Sequence, residues 1–422
     1  MGMGYAGSGG GAGLDPPAPV PTGGMLILLK EGVDSPDREI TNRTGLKVAD
    51  ARDFRLSASD LDATIAGGAA VILPTFGVAV IGAGEPGAAQ ALAARLQASD
   101  VAAQVRPEFY MFAIPDGTGS GGGVSAAAIG DTAERTWGVA AVGADRSRYT
   151  GRGIKVAVLD TGFDSGHPDF QGRAIVSRSF VPNEAVQDRQ GHGTHCAGTV
   201  AGPGRSTPSL HPRYGIAPAA ELHVGKVLSD GGSGAECWIL AGMEWAIASG
   251  CQVVSMSLGR AVGIGEAPDP LYERAGRRAL ANGCLIVAAA GNESSRQYRY
   301  VAPVGAPANA SSIMAVAAVD QALGVAEFSC GGVNAGGGEV DVAGPGVGVF
   351  SSFPMPQRYR ALRGTSMACP HVAGLAVLWA ESDPALRGAA LFDALKRGAR
   401  DIGVPARDVG RGLAMCPDIP TA

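Results

Sequence analysis

A chain of 422 residues with 46% hydrophobic and 17% charged side chains carries enough apolar material for two or three domains, which excludes a largely disordered protein. The formal net charge is −5 and no long basic run occurs, so nucleic acid is not expected as a partner. No run of 18 apolar residues appears, and the seven cysteines are scattered without a Cys-x-x-Cys pair. A membrane-spanning helix, a zinc site and a full disulfide framework are therefore not expected, and buried thiols are.

Residues 1–24 hold nine glycines and four prolines and read as a flexible tail. They lack the basic and apolar regions of a Sec signal, so the chain is expected to stay in the cytoplasm or leave by a non-Sec route. Residues 25–115 read as a small α+β domain. "MLILLK" is a strand, and "AAVILPTFGVAVIGA" (69–83) is two strands about a turn. "EPGAAQALAARLQAS" is a helix with Pro in its first turn and Leu92 and Leu96 at i and i+4, and "VRPEFYMFAI" closes the sheet. Residues 116–136 begin with "DGTGSGGGVSAAAIGD" and form a linker by composition, exposed enough to be processed. From residue 137 to 422 the pattern changes. "GIKVAVLDTG", "ELHVGKVL", "CQVVSMSLG", "CLIVAAAGN" and "SIMAVAAVD" are short apolar runs separated by helix-like stretches. That alternation predicts an α/β domain with a mostly parallel sheet covered on both faces, and sites at the carboxyl ends of its strands.

Asp160, Ser257 and Asn292 all come where an apolar run stops. Asp160 ends "KVAVL" and reads as a turn cap or as a catalytic carboxylate. In "QGHGTHCAGTVAG", His192 lies between glycines at a helix start. His195 shares its face, so a His-x-x-His metal pair is one reading and a core-packed His195 the other. Ser366, in "LRGTSMACPHVAG", is either a helix N-cap or a nucleophile favoured by the helix N-terminus. A serine hydroxyl needs a neighbouring base to attack, and the base needs an orienting carboxylate. Asp160, His192 and Ser366 supply one of each.

The stretches "VAVLDTGFDSGHPDF", "GHGTHCAGTVAG", "VSMSLG", "VAAAGNE" and "GTSMACPHVAGLA" resemble, in this order, the motifs of the subtilisin-like serine proteases (subtilases). The resemblance covers residues 137 to 415. It implies a three-layer subtilisin-like fold with Asp160 as orienting acid, His192 as general base and Ser366 as nucleophile. Asn292 and the Ser366 N–H would form the oxyanion hole. A substrate strand would lie between Gly232-Ser233-Gly234 and Ser257-Leu258-Gly259, with Ala288, Ala289, Ala290 and Gly291 as walls of the pocket for the residue before the cut. Glu236 and Glu293 would lie by the cleft and favour basic residues near the scissile bond.

Residues 25–115 resemble the family's propeptide, a ferredoxin-like α+β inhibitor and folding chaperone, which implies self-cleavage between residues 114 and 137. The loop "GPGRSTPSLHPRYG" (202–215) departs from the family's common strong calcium site, so that site is expected to be absent, with room only for weaker ones. No cofactor is required. Cys196, near the catalytic histidine, implies mercurial sensitivity. Cys369 follows the serine, and Cys251 and Cys284 are expected to pack rather than pair. The function expected is that of a monomeric serine endopeptidase acting on peptides or proteins, made as a zymogen inhibited by its own N-terminal domain. A peptide-binding module without turnover and a dedicated maturation protease or transpeptidase are the alternatives. An aspartic protease would need a second Asp-Thr-Gly.

Overall fold

The computed structural model describes residues 18–51, 64, 69–82, 87–114, 128–207 and 211–418. Residues 1–17 of the expected tail, residue 115, residues 116–127 of the linker and the middle of the 202–215 loop lie outside the described residues.

The N-terminal unit runs β1 (Pro21–Leu29), α1 (Pro36–Thr44), β2 (Val48–Asp50), β3 (Ala70–Leu73), β4 (Val78–Ile81), α2 (Ala88–Gln97) and β5 (Ala102–Ala113). Strand β1 lies between β4 and β5 and is antiparallel to both; β3 and β2 continue the sheet beyond β4. Strand β1 starts at Pro21, inside the stretch expected to be tail. The Thr22 hydroxyl donates to the Glu108 carboxylate of β5, which draws that end into the sheet.

These strands are apolar on both faces. Met25, Ile27, Leu29, Ala70, Ile72, Ala79 and Ile81 point to a core closed by Ile40 of α1 and Ala89, Ala93 and Leu96 of α2. The intervening Leu26, Leu28, Val71, Leu73, Val78 and Val80 belong to the core of the larger domain. Because side chains alternate along a strand, a sheet covered on one side reads as alternating polar and apolar residues. Cover on both sides gives the continuous runs seen here.

The larger domain adds α3 (Trp137–Ala141), β6 (Lys155–Asp160), β7 (Val176–Ser179), α4 (His192–Ala201), β8 (Glu221–Lys226), β9 (Ser233–Ala235), α5 (Glu236–Ala248), β10 (Val253–Met256) and β11 (Leu258–Gly259). It continues with α6 (Pro270–Ala281), β12 (Leu285–Ala289), β13 (Met314–Val319), β14 (Val342–Pro345), β15 (Val349–Ser352), β16 (Tyr359–Leu362), α7 (Thr365–Ser382), α8 (Ala389–Arg397) and α9 (Ala406–Val409). Seven strands make one sheet in the order β14-β13-β12-β10-β6-β8-β7, and every pairing in it is parallel. The chain lays β7 and β8 to one side of β6, then crosses to place β10 on the other. The order reverses between β6 and β10, and in such sheets the crevice opens at the carboxyl ends of those strands. Asp160 ends β6 and Ser257 follows β10. Among the described residues no helix is long and apolar enough to cross a membrane.

Helix α4 starts hard against the turn after β6. A Cβ on Gly193 would lie 2.3 Å from the Gly162 carbonyl oxygen and 2.9 Å from its nitrogen. Those are backbone atoms that cannot swing aside. Gly193→Ala is expected to cost about 1–3 kcal/mol of stability as an overpacked site. Thermal denaturation checks this, and an unchanged midpoint would mean the turn moves freely.

Candidate active site

Asp160 is completely buried at the end of β6. Its Oδ1 accepts the Thr161 N–H at 2.7 Å and the His192 Nδ1–H at 2.8 Å. Asp188 prepares the other side of that bond. One of its oxygens takes the backbone N–H groups of Gln190 (3.0 Å) and Gly191 (2.8 Å), and the other takes Thr194 N–H at 2.9 Å. A carboxylate on the free N–H groups of a helix start satisfies donors that have no partner within the helix. Asp188 thereby sets the end of α4 from which His192 projects. The Thr161 hydroxyl donates to Asp188 and accepts Gly193 N–H at 2.8 Å, tying the β6 turn to the same helix end.

Ser366 lies in the first turn of α7, an almost wholly buried helix containing Pro370. Proline has no N–H, so it leaves the carbonyl four residues earlier without its helical partner. That carbonyl belongs to Ser366. It accepts instead from the Ser257 hydroxyl at 2.8 Å and from the Cys196 thiol at 3.5 Å. The proline thus couples the Ser366 backbone to the end of β10 and to α4. Asn292 is oriented by Thr365, whose N–H and hydroxyl both donate to Asn292 Oδ1 at 2.9 Å. This fixes the amide plane with its nitrogen toward the serine turn. A Cβ on Gly364 would lie 2.9 Å from that nitrogen, so glycine is needed there for close approach.

Burial alone would lower the basicity of His192, but the Asp160 carboxylate outweighs it and holds His192 well above the ordinary histidine value. His195 behaves in the opposite way. Its Nε2–H points at the carbonyls of Val349 (2.9 Å) and Arg360 (3.1 Å), and burial pushes it down to about 3. It is a neutral pillar of the core, which decides between the two readings of the His-x-x-His spacing. Asp160, His192 and Cys196 are, among the described residues, a trio whose donor atoms lie within 4.8 Å of one another. Within that trio Asp160 Oδ1 and His192 Nδ1 are hydrogen-bonded to each other. None of the seven cysteines forms a disulfide and all are buried; Cys369 packs with its thiol 3.3 Å from the Val287 carbonyl.

The cleft is filled by the chain itself. Strand β5 runs antiparallel between β9 and β11, placing Met111 opposite Gly234, Phe112 opposite Ser233 and Gly259, and Ala113 opposite Leu258. Ala113 N–H donates to Gly232 O at 2.8 Å, and Ile114 N–H to Ser257 O at 3.5 Å. The two segments expected to hold a substrate strand hold this one. At its end the Ser366 hydroxyl donates to Ile114 O at 3.3 Å and to Ser257 O at 3.4 Å, while His192 Nε2 has no partner.

Ile114 lines a pocket together with Gly259, Arg260, Ala289, Gly291, Glu293, Gly305 and Ala306. Of the four expected wall residues, Ala289 and Gly291 line it. Ala288 and Ala290 do not: they alternate away, Ala288 pairing with Met256 inside the sheet and Ala290 bonded to Val316. Glu293 belongs to the pocket and accepts the Cys330 thiol at 3.1 Å, with burial pushing its carboxyl up. Glu236, expected near the scissile bond, instead lies under Arg106 and Phe109, far upstream of Ile114.

Asp188, Thr365, Cys330 and Glu108 are not among the residues that the sequence motifs single out. Asp188 has a legible signal, an acid just before a helix start. Glu108 does not: its Oε1 accepts Cys237 N–H at 2.8 Å, in the first turn of a helix 129 positions away.

Residues 151–412 match the family model described as Subtilase family. Subtilisin E of Bacillus subtilis (strain 168) is 41% identical over 257 residues, covering 60% of this chain and 62% of its own length. Subtilisin Savinase of Lederbergia lenta is 41% identical over 271 residues, covering 63% of this chain and 92% of its own. The solved structure of sphericase superposes with a TM-score of 0.56 at 31% identity, over 66% of this chain and 97% of that one. The family model spans more than half of the chain and these relatives agree with it: the chain belongs to the subtilase family.

Proposed function

We propose that the protein is a serine endopeptidase that hydrolyses peptide bonds through an acyl-enzyme, and that it is made as a zymogen whose N-terminal unit occupies its own cleft. The observation that carries this reading is the Ile114 carbonyl, 3.3 Å from Ser366 Oγ at the end of a strand paired on both edges. A peptide bond delivered there can be attacked by Ser366 Oγ, with His192 Nε2 taking the hydroxyl proton and Asp160 holding the imidazole. The developing oxyanion would be met by the Asn292 side-chain N–H and the Ser366 N–H. His192 then returns the proton to the leaving amine, and water repeats the sequence on the ester. All the groups are the chain's own, and no cofactor is called for.

The residue after Ile114 is Pro115. Its nitrogen carries the ring in place of a hydrogen, and the ring fixes the backbone on the leaving-group side. Expelling that nitrogen is the slow version of the reaction, so the strand holds the cleft longer than an ordinary substrate would. Processing then falls on this bond slowly, or on another bond between residues 114 and 137. Glu293 in the Ile114 pocket supports a mild preference for a basic residue before the cut. Of the other readings, the binding module keeps the strand without turnover, and the transpeptidase passes the acyl group to an amine, which product mass reveals.

Intact mass with and without a fluorophosphonate tests the reading. The wild-type chain should lose about its first 115 to 137 residues and take one adduct, while Ser366→Ala stays whole and unlabelled. A wild type that does not process itself, and that takes no adduct even after its N-terminal unit is trimmed away by another protease, would leave only the binding module. Pro115→Ala should speed the loss of the N-terminal unit by about tenfold or more, followed as the appearance of the cut at residue 114.

The pH profile follows from His192. The reaction needs the neutral imidazole, and its basicity is raised, so kcat/KM should climb on the alkaline side of pH 6.5. Asp160→Asn removes the anion that raises it. The limb should move to lower pH and the rate fall by roughly 10⁴-fold. A limb that stays put in Asp160→Asn would show that the carboxylate does not set it.

A further inference from the structure

We propose that the catalytic domain carries a guanidinium-binding subsite made by Glu236 and Asp269, which Arg106 fills in this chain and which an arginine of a protein substrate takes once the N-terminal unit has left. The inference rests on the protease reading and adds to it a requirement on substrate sequence far from the cut bond.

Glu236 is the first residue of α5 and Asp269 immediately precedes α6, so the two helix starts bring the carboxylates together. Arg106 bridges Glu236 bidentately, Nη1 to Oε2 at 2.7 Å and Nη2 to Oε1 at 2.9 Å, and its Nε lies 2.5 Å from Asp269 Oδ2. The side chains of Glu236 and Asp269 are only 1% and 11% exposed. Glu236 is also held from behind, by the Tyr272 hydroxyl at 2.9 Å on Oε1. It accepts the Phe109 backbone N–H at 2.9 Å as well, a bond that any extended peptide can supply. Asp269 keeps its other oxygen on Leu271 N–H at 2.9 Å. The two acids are thus fixed by the catalytic domain's own groups, and the cation that meets them comes from β5.

The register places the subsite. With Ile114 at Ser366, Arg106 lies eight residues upstream, beyond the part of β5 that pairs with β9 at Tyr110–Phe112. Departure of the N-terminal unit removes both the guanidinium and the Phe109 N–H, and leaves two ordered carboxylates at the far end of the substrate groove. A planar fork of donors satisfies them best, which selects arginine over lysine.

The test uses three fluorogenic peptides and the enzyme matured from the full chain. One peptide carries residues 106–114 followed by Ala-Gly in place of Pro115, one has alanine at the Arg106 position, and one is shortened to residues 110–114 with the same Ala-Gly. The arginine peptide is expected to show a kcat/KM at least about tenfold above its alanine partner, with a lysine version in between. In a Glu236→Gln/Asp269→Asn enzyme, whose side chains keep their shape, the ratio of the two long peptides should fall to about one. Equal kcat/KM for the two long peptides, with the short one turned over normally, overturns the subsite and leaves the protease reading standing. A ratio that survives the double substitution overturns the assignment to these two acids. Failure to turn over even the short peptide sinks the protease reading, and this inference with it.

Discussion

The twelve residues of β5 are shared by two sheets, and the arrangement of the whole chain depends on that. On one side the strand pairs with β1 and closes the N-terminal unit; farther along it lies between β9 and β11 of the catalytic domain. Backbone pairing of this kind is indifferent to side chains, so it positions without selecting. Selection comes from what flanks it: the Ile114 pocket at one end, and the ion pair of Arg106 with the helix starts at the other.

The catalytic groups show the same economy of means. A proline that would be a defect in an ordinary helix leaves the Ser366 carbonyl without a helical partner, and the Ser257 hydroxyl and Cys196 thiol take that place. The end of β10, the start of α7 and the start of α4 are thereby locked to one another at Ser366. Asp188 and Thr365 do for His192 and Asn292 what Pro370 and Ser257 do for Ser366. They hold these side chains through backbone and amide contacts.

Much of this arrangement is legible in the sequence. The apolar runs become the central parallel strands because burial on both faces leaves no polar position to interrupt them. Asp160 and Ser257 fall at strand ends for the same reason. What escapes a reading of the sequence is whatever depends on alternation or on distance along the chain. Four consecutive small residues, Ala288 to Gly291, read as one wall, yet the pleat of the strand turns every second one away from the pocket. Glu236 reads as a cleft acid, but its partner is Arg106, 130 positions earlier, and no local pattern reports a pairing of that span. Thr22 extends β1 into the supposed tail for a like reason, through a carboxylate 86 positions away.

The second apolar face of the N-terminal sheet has a consequence for what becomes of that unit. Leu26, Leu28, Val71, Leu73, Val78 and Val80 are buried only because the catalytic domain lies against them. Burial of such a side chain is worth about 1.5–3 kcal/mol. The whole stability of a small domain is about 5–15 kcal/mol. Set loose, the unit would give up contacts of the same size as its entire margin, and would hover near unfolding. An unfolded stretch is what an endopeptidase cuts best. Under the zymogen reading proposed above, detachment would act as a one-way valve, because a unit that lets go and unfolds could not return to the cleft.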